Sequence, residues 1–220
     1  MMHERGKSIV IEGNDGTGKS TQVELLATWL RDAYGIESLT IHEPDGPTEK
    51  CKQLRAKIKD GSLPRTPLEN LQWVTESREE SNRYAREHFI DRGKWVLRAR
   101  NWRSTEAFQG GGEGLSTELI RETTEAHTDE LYMHPDLEVI LYLDNDARRQ
   151  RIGDRGVLET PDTFEMRDNS FQDRVDQCYI EIGTRDNLPL IEASPSVEDI
   201  QQKIRELLYI RGLLTPISDR

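Results

Sequence analysis

A glycine-rich loop followed by a lysine and a serine is the stretch of this chain whose chemistry is plainest. The sequence EGNDGTGKST contains the spacing G-x-x-x-x-G-K-S. Backbone N–H groups of such a loop point at phosphate oxygens, the lysine reaches the β- and γ-phosphates, and the hydroxyl can ligate Mg²⁺. The sequence therefore predicts a nucleoside triphosphate site. The residues predicted to form it are Gly13, Asn14, Asp15, Gly16, Thr17, Gly18, Lys19, Ser20 and Thr21.

Asp15 is the residue of this loop whose charge opposes phosphate binding. A carboxylate repels phosphate oxygens, so it adds nothing to the cradle. It can instead accept a hydrogen bond from a sugar hydroxyl of a second substrate, or it can stabilise the loop as an Asx turn. The loop sequence leaves both roles open.

Two arginines, Arg98 and Arg100, lie near the end of a second apolar stretch, KWVLRA. Arginine presents a planar fork of donors that suits phosphate groups. Arg98 lies inside the predicted strand and Arg100 directly after its end, so we expect the two side chains to face different surroundings.

Apolar stretches and amphipathic stretches alternate along the chain, which predicts a parallel sheet with helices on both faces. The strands are predicted at residues 7–13, 37–44, 94–99, 137–144 and 188–193. Helices are predicted at residues 19–35, 48–61, 66–93, 117–133, 170–185 and 196–214, with a loop at 100–114 and a helix beginning at 147 that leads into a polar segment at 153–168. Sites in such sheets lie at the carboxyl ends of the strands, which is where the motifs fall.

Composition and charge exclude several classes of protein. The formal net charge of −11 argues against a protein that coats nucleic acid or binds an anionic membrane. No stretch has the length and apolarity of a signal peptide or a membrane span. Cys51 and Cys178 are far apart in sequence and fit a reducing cytosol. We therefore expect a cytoplasmic protein without nucleic-acid or membrane partners.

Several further motifs give the chain a resemblance to thymidylate kinases. They are HEPDGPTEKCKQLR, SREESNR, NWRSTEAFQGGGEGL, PDLEVILYLD, RIGDRG and FQDRVDQCY, in the family's order and over nearly the whole chain. The resemblance implies a P-loop kinase fold, a single domain over residues 1–220 with a five-stranded parallel sheet, and a mobile lid at about 148–168. It also implies transfer of the γ-phosphoryl group of ATP to thymidylate with Mg²⁺, and a homodimer.

The resemblance also implies roles for individual residues. Asp15 corresponds to the carboxylate that holds the sugar 3′-hydroxyl, and Glu43 and Pro44 to the family's R-E-P segment. Arg55 and Arg100 correspond to arginines on the acceptor phosphate, and Arg78 to the one that contacts the pyrimidine edge. Ser104, Thr105, Phe108 and Gln109 correspond to the loop that closes on base and sugar. Arg151 and Arg155 correspond to lid arginines that act in catalysis with Lys19, and Ser20 and Glu43 are candidate metal ligands.

Some positions depart from the family's pattern. Ala99 stands where an aspartate helps to organise Mg²⁺, and His42 where R-E-P has its arginine. Val74 stands where a phenylalanine stacks on the thymine ring, although a shift of one residue would place Trp73 there. Glu113 and Thr163 replace further arginines, and Arg98, Arg103 and Arg167 are candidates to restore the lost charge.

These departures keep two alternatives open beside thymidylate phosphorylation. The altered base pocket allows the same reaction on another or a modified deoxypyrimidine monophosphate. The missing aspartate allows a nucleotide-binding protein with weak catalysis.

Overall fold

The computed structural model of the protein describes residues 5–154 and 167–217. Its five strands form one sheet in the order β2-β3-β1-β4-β5, and every neighbouring pair is parallel. The strands are β1 (Ser8–Gly13), β2 (Ser38–His42), β3 (Trp95–Ala99), β4 (Leu137–Tyr142) and β5 (Leu190–Glu192). The predicted α/β class and the five predicted strands are confirmed, with ends that lie at most two residues from those expected.

The strands are connected by helices, as parallel pairing requires. In chain order they are α1 (Lys19–Tyr34), α2 (Glu49–Lys59), α3 (Pro67–His88), α4 (Trp102–Thr105), α5 (Thr117–Glu125), α6 (Glu130–Met133), α7 (Asn145–Asp154), α8 (Asn169–Arg185) and α9 (Val197–Ile210), with a 3₁₀ turn at Ile90–Arg92. The start of α3 shows how local sequence sets a boundary. Thr66 accepts a hydrogen bond from the N–H of Glu69, the Glu69 carboxylate accepts one from the N–H of Thr66, and Pro67 takes the first helical position.

Helices cover both faces of the sheet. On one face α1 and α9 pack against the central strands, with Leu26 and Leu30 of α1 and Ile204 of α9 fully buried. On the other face α8 packs against Ile140 of β4, and α3 packs against β2 and β3 through Ala85. Because the strands are parallel, the carboxyl ends that carry the motifs all lie at one edge of the sheet.

The stretch between β3 and α5 corrects the prediction of a loop at 100–114. It is helical, because α4 is followed by a π-helical segment, Glu106–Gly112, whose side chains are mostly buried. Its glycines serve close packing: a Cβ on Gly111 would meet Cys178 at 2.6 Å, and one on Gly112 would meet the ring of Phe171. Tertiary contact with α8 thus outweighs the low helix propensity of three consecutive glycines.

The helix predicted at 117–133 is two helices, α5 and α6. Asp129 begins the second one by accepting a hydrogen bond from the N–H of Tyr132 at 2.9 Å. An aspartate in this capping position favours a new helix start over continuation of the old one. Within residues 5–154 and 167–217, none of the helices combines the length and the apolar character that a membrane crossing requires.

Candidate active site

The glycine-rich loop connects β1 to α1. Gly13, Gly16 and Gly18 have positive φ angles of 139°, 87° and 91°, a conformation that is costly for residues with a Cβ. The loop leads into the N-terminus of α1, where unpaired N–H groups favour an anion. Lys19 is buried in the first turn and donates from Nζ to the carbonyl oxygen of Asn14 at 2.8 Å. The backbone has the strand–loop–helix geometry that the motif requires.

Asn14 connects this loop to α8. Its amide donates to Asp176 Oδ1 at 2.8 Å and to Gln172 Oε1 at 3.1 Å, and its Oδ1 accepts from the N–H of Asp15 at 2.7 Å. The hydroxyl of Thr17 donates to the Asn14 carbonyl at 2.9 Å. Because its side chain is bonded within the protein, Asn14 positions the loop, and the backbone remains the group that can contact phosphate.

Helix α7 lies against the loop at Gly16. A Cβ added there would meet Ile152 Cγ1 at 3.1 Å and Arg148 Cγ at 3.2 Å. Arg148 is buried and donates from Nε to Asp176 Oδ2 at 3.1 Å, so α7 is fixed to the same carboxylate that holds Asn14. Both the positive φ of Gly16 and the approach of α7 disfavour a side chain at this position.

A cleft of about 250 Å³ opens beside the loop at the carboxyl ends of β2 and β3. Elements that are distant in sequence contribute to it, namely the loop, α1, α2, α3 and the helical stretch after β3. The predicted residues that line it are Asp15, Lys19, Ser20, Glu43, Pro44, Arg55, Val74, Arg78, Arg100, Ser104, Thr105, Phe108 and Gln109. His42, Ile58, Lys59 and Ala99 line it as well. Most of the charged groups on its walls are cations, which suits an anionic ligand.

Arg100 lines the cleft with an unusual backbone conformation and a side chain held by three hydrogen bonds. Its φ of 76° is unusual for a residue with a side chain, and Nη2 donates to Asp15 Oδ1 at 2.6 Å. Nη1 donates to Ser104 Oγ and to the hydroxyl of Tyr179, both at 3.0 Å. A guanidinium has five N–H groups, so these three bonds fix its orientation and leave donors for a ligand.

Asp15 is strongly acidic in this setting. Desolvation raises the pKa of its carboxyl, but the positive charges of Arg100 and Lys19 outweigh that effect and lower it to about 2. The carboxylate is 36% exposed at the cleft. Asp15 is therefore an ionised acceptor of hydrogen bonds, as a role with a sugar hydroxyl requires, although the contact with Arg100 already uses one of its oxygens.

Glu43 is buried between two arginines. Its Oε2 accepts hydrogen bonds from Arg78 Nε at 2.8 Å and from the hydroxyl of Tyr132 at 2.6 Å, and its Oε1 lies 3.5 Å from Arg98 Nε. Burial raises the pKa of Glu43, and the two arginines oppose that rise. The carboxylate thus holds Arg78 in place, which competes with the predicted role of Glu43 as a metal ligand.

Arg78 is held at every nitrogen. Besides the bond to Glu43, Nη1 donates to the hydroxyl of Thr105, and Nη2 donates to the carbonyl oxygen of Asn101 at 2.5 Å. Two of its five N–H groups remain. The side chain lines the cleft with a fixed orientation, as a group that recognises one edge of a base requires.

The structure separates two neighbours on α3, Val74 and Trp73. Val74 lines the cleft, whereas Trp73 does not, and its ring packs instead under Lys57 Nζ, 3.9 Å from the ring centroid. One helical residue turns a side chain by about 100°, so both cannot face the same ligand. Of these two predicted substrate-binding residues, the structure brings Val74 and not Trp73 to the cleft.

Other predicted residues are not brought to the cleft. Arg151 lies on α7 and is half-buried, but it is not among the residues that line the cleft. Thr21 follows Ser20 on the exposed side of α1. Arg155 and Thr163 lie outside the described residues.

The three arginines considered as replacements for lost charge are paired elsewhere. Arg98 donates to Ser8 Oγ and Asn82 Oδ1 inside the protein, and Arg167 donates to Glu113 Oε1 at 2.7 Å. Arg103 belongs to a buried cluster of charges behind α4. The expectation that Arg98 has different surroundings from Arg100 is confirmed.

Sequence reasoning missed Glu12 and Tyr179. Glu12 is fully buried and accepts hydrogen bonds from the N–H of Asn101 at 2.6 Å and from the hydroxyl of Ser104 at 2.7 Å. The hydroxyl of Tyr179 donates to Glu12 Oε2 at 3.2 Å. An acidic residue at the end of an otherwise apolar strand was the signal available, because a buried carboxylate needs partners.

Lys59 was also missed. It lies four residues after Arg55 on α2, a spacing that places both side chains on one face of the helix. Since the resemblance implied that Arg55 lies at the acceptor phosphate, this periodicity was the signal that could have predicted Lys59 in the cleft as well.

A divalent cation has few protein ligands in this cleft. In the described part of the chain, no three His, Cys, Asp or Glu side chains are grouped so that they could hold a metal ion. The hydroxyl of Ser20 and the carboxylate of Asp15 do line the cleft, and both are oxygen donors of the kind that Mg²⁺ prefers. Such a site fits Mg²⁺ carried largely by nucleotide phosphates and water.

Comparison with known proteins gives consistent results. The family model described as thymidylate kinase matches residues 11–204. The thymidylate kinase of Glaesserella parasuis is 32% identical over 210 residues, which cover 94% of this chain and 97% of that protein. The thymidylate kinase of Idiomarina loihiensis is 31% identical over 201 residues, which cover 90% and 95% of the two chains.

Solved structures are similar in fold. The crystal structure of thymidylate kinase from Ehrlichia chaffeensis superimposes with a TM-score of 0.74 at 22% identity, covering 93% of this chain and 99% of that one. Thymidylate kinase from Candida albicans gives a TM-score of 0.73 at 22% identity, covering 98% and 96%.

Proposed function

The chain belongs to the thymidylate kinase family, and from that membership we propose how its cleft performs the family's reaction. The protein is a nucleoside monophosphate kinase that transfers the γ-phosphoryl group of ATP to thymidylate (dTMP), giving dTDP and ADP. The observation that supports the assignment of residues is the cleft itself. It joins the phosphate-binding loop to cationic and polar side chains from α2, α3 and the segment after β3.

ATP is the phosphoryl donor, and we assign its phosphates to the loop. The N–H groups of residues 13–20 surround the β- and γ-phosphates, and Lys19 neutralises charge there. Lys19 now donates to the carbonyl of Asn14, so it exchanges that bond for one to phosphate. Phosphoryl transfer depends mainly on positioning and on neutralising charge.

We assign dTMP to the cleft between α2, α3 and α4. Arg55, Lys59 and Arg100 surround its phosphate, Arg78 contacts the base edge, and Asp15 accepts from the sugar hydroxyl. Ser104, Thr105, Phe108 and Gln109 complete the wall around base and sugar. The fixed orientations of Arg78 and Arg100 support this arrangement, because hydrogen bonds within the protein hold both guanidiniums before a ligand binds.

We propose Mg²⁺ as the metal ion, bound with ATP. It neutralises phosphate charge when it is bound, and the hydroxyl of Ser20 is the group of this chain that would hold it. Glu43 is the less suitable of the predicted ligands, because Arg78 and Tyr132 already use its Oε2.

We further propose, from family membership, a single domain with a lid at about 148–168, catalytic arginines Arg151 and Arg155, a homodimer and a cytoplasmic location.

A panel of acceptors tests the assignment. ADP formation from ATP and Mg²⁺ is measured with dTMP, dUMP, dCMP, dAMP and dGMP, and Lys19→Ala serves as the inactive control. We expect turnover to be fastest with dTMP. Preference for another pyrimidine would assign the cleft to a different acceptor, and tight ATP binding without turnover of any acceptor would contradict catalysis.

Ala99 gives a separate prediction about the metal. It is buried at the end of β3 and lines the cleft. Ala99→Asp adds a carboxylate that can hydrogen-bond to metal-bound water, so we expect dTMP turnover to be equal to the wild type or up to about tenfold higher. Titration of Mn²⁺ into the ATP complex, followed by electron paramagnetic resonance, checks for tighter metal binding. A large loss of activity would show that the cleft is built around the alanine.

A further inference from the structure

Five ionisable side chains form a cluster directly behind α4 and the π-helical segment. They come from α4, the π-helical segment, β4, the end of α8 and the residue that follows it. We call this cluster the ionic brace; its members are Arg103, Glu106, Glu138, Arg185 and Asp186. The brace lies on the side of α4 that faces away from the cleft, since none of its members lines the cleft.

Glu106 is the central carboxylate of the brace. Its side chain is 1% exposed and lies between two arginines. Oε2 accepts from Arg103 Nη1 at 3.1 Å, and Oε1 accepts from Arg185 Nη1 at 2.5 Å. Arg185 Nη2 adds a third bond, 3.2 Å from Oε2. Glu106 therefore connects the start of the π-helical segment to the end of α8 through directional bonds.

Arg103 extends the same network to β4. Its Nη1 lies 2.7 Å from Asp186 Oδ2, and its Nε lies 3.8 Å from Glu138 Oε2. The guanidinium also stacks on the ring of Trp102, 3.9 Å from the ring centroid. One side chain of α4 thus contacts Asp186 directly after α8, Glu138 of β4 and its own neighbour Trp102.

The residues of the brace alternate with residues of the cleft wall. Arg103 precedes Ser104 and Thr105, and Glu106 precedes Phe108 and Gln109 by two and three positions. Since the segment is short, any rotation or shift at Arg103 or Glu106 moves the neighbouring cleft residues. The brace thus fixes the part of the wall to which the acceptor is assigned.

The energetics favour a role in geometry over one in stability. Removing two charges from water costs several kcal/mol per ion, so apolar residues of similar size often stabilise a fold equally well. Charged pairs add direction, because each bond fixes an angle as well as a distance. We infer that the ionic brace positions the acceptor-binding segment and thereby sets the affinity for the acceptor nucleotide, without acting on ATP. This inference rests on the proposed function.

Glu106→Gln tests the inference, because it keeps the shape and removes the charge that faces both arginines. We expect the KM for dTMP to rise about tenfold or more, while the KM for ATP stays within about twofold. The dissociation constant of dTMP, measured by calorimetry without ATP, is expected to rise by the same factor. A purely structural role would lower the unfolding temperature and leave both KM values unchanged.

Arg185 supplies a second variant that keeps the test decisive if Glu106→Gln folds poorly. Its side chain is 48% exposed at the end of α8, so its replacement leaves little buried volume empty. We expect Arg185→Gln to raise the dTMP KM about threefold to tenfold, and Arg185→Lys, which keeps the charge, to restore most of the affinity. Glu125→Gln is the matched control, because it removes an exposed carboxylate that lies 3.8 Å from Arg121.

The results separate the inference from the function on which it rests. Unchanged dTMP affinity in both Glu106→Gln and Arg185→Gln would overturn the inference, as would equal increases in the KM values of dTMP and ATP. A wild-type protein that does not phosphorylate dTMP would overturn the proposed function instead, and that result is obtained before any variant is made.

Discussion

At the scale of single residues, the cleft depends on side chains that are held by other buried side chains. Arg78 is oriented by Glu43, which in turn accepts from Tyr132 and faces Arg98. Removing one partner of a buried charged pair leaves the other uncompensated, which is more costly than the pair's net contribution. Substitutions at these positions therefore affect ligand binding through orientation as well as through lost contacts.

Arg78→Ala is expected to impair use of the acceptor far more than binding of ATP. Its side chain lines the cleft, and two of its five N–H groups remain beyond those bonded to Glu43, Thr105 and Asn101. We therefore expect the KM for dTMP to rise about 100-fold, which equals about 2.7 kcal/mol. Steady-state kinetics with each nucleotide varied in turn measures the effect. Arg83→Ala, on the exposed side of the same helix, is the control. Equal losses for ATP and dTMP would remove Arg78 from the acceptor site.

Glu138 predicts an unusual dependence of stability on pH. Burial raises the pKa of its carboxyl to about 8, although Arg103 partly offsets the rise. Because the folded state then retains a proton that the unfolded state releases above pH 4.5, stability is lost as pH rises from about 4.5 to 8, by at most about 1.4 kcal/mol per pH unit.

Urea unfolding at pH 5, 6.5 and 8 checks this prediction in the wild type and in Glu138→Gln. The variant removes the titrating group, so we expect it to become the more stable of the two as pH rises. Curves that stay parallel across this range would show that Glu138 is ionised throughout.

At the scale of elements, the π-helical segment shows that close packing against a neighbouring helix requires glycine at particular positions. Its consecutive glycines allow α8 to approach so closely that side chains at Gly111 and Gly112 would collide with Cys178 and Phe171. Gly110 differs, because a Cβ there would make only ordinary contacts, the nearest with Ile120 at 3.4 Å. The segment therefore contains Gly112, where a side chain would collide with a buried ring, and Gly110, where a methyl group would fit.

Gly112→Ala is expected to destabilise the protein by about 1–3 kcal/mol, since the methyl group must displace a buried ring. Gly110→Ala is the matched control, for which we expect a change within about 0.5 kcal/mol. Free energies of unfolding in urea measure both. A similar loss in the two variants would indicate that helix backbone conformation, and not contact with α8, determines the effect.

At the scale of the whole molecule, charge is distributed unevenly. The chain carries a net charge of −11, yet Lys19, Arg55, Lys59, Arg78 and Arg100 line one cleft. A small anionic ligand responds to the local field of the cleft, whereas a large polyanion also meets the negative surface around it. This distribution agrees with nucleotide substrates and explains why overall charge did not argue against them.

The proposed homodimer is tested at this scale. Light scattering coupled to size-exclusion chromatography should give about twice the chain mass of 25.4 kDa, because two-fold dimers are the commonest closed assemblies of soluble proteins. The measurement is repeated at several concentrations with and without dTMP. A single peak at the chain mass at every concentration would contradict the dimer.

Much of the molecule was determined by the sequence alone. The loop at 13–20, the alternation of strands and helices, and the placement of sites at strand ends all depend on local spacing, so each could be predicted from a short stretch. Of the thirteen predicted residues that line the cleft, Asp15, Lys19 and Ser20 follow from the spacing of the loop. The resemblance to thymidylate kinases implied the others, such as Arg55 and Arg78.

Only the tertiary structure determined which buried side chains fix the orientation of other side chains. The separation of Val74 from Trp73 depends on the rotation of α3 against the sheet, and the helical state of Glu106–Gly112 depends on contact with α8. Glu12 and the ionic brace unite residues that are up to 167 positions apart, as in the bond from Tyr179 to Glu12. A buried charge is stable only where folding supplies its partners, and those partners are set by the packing of whole elements, which no local pattern records.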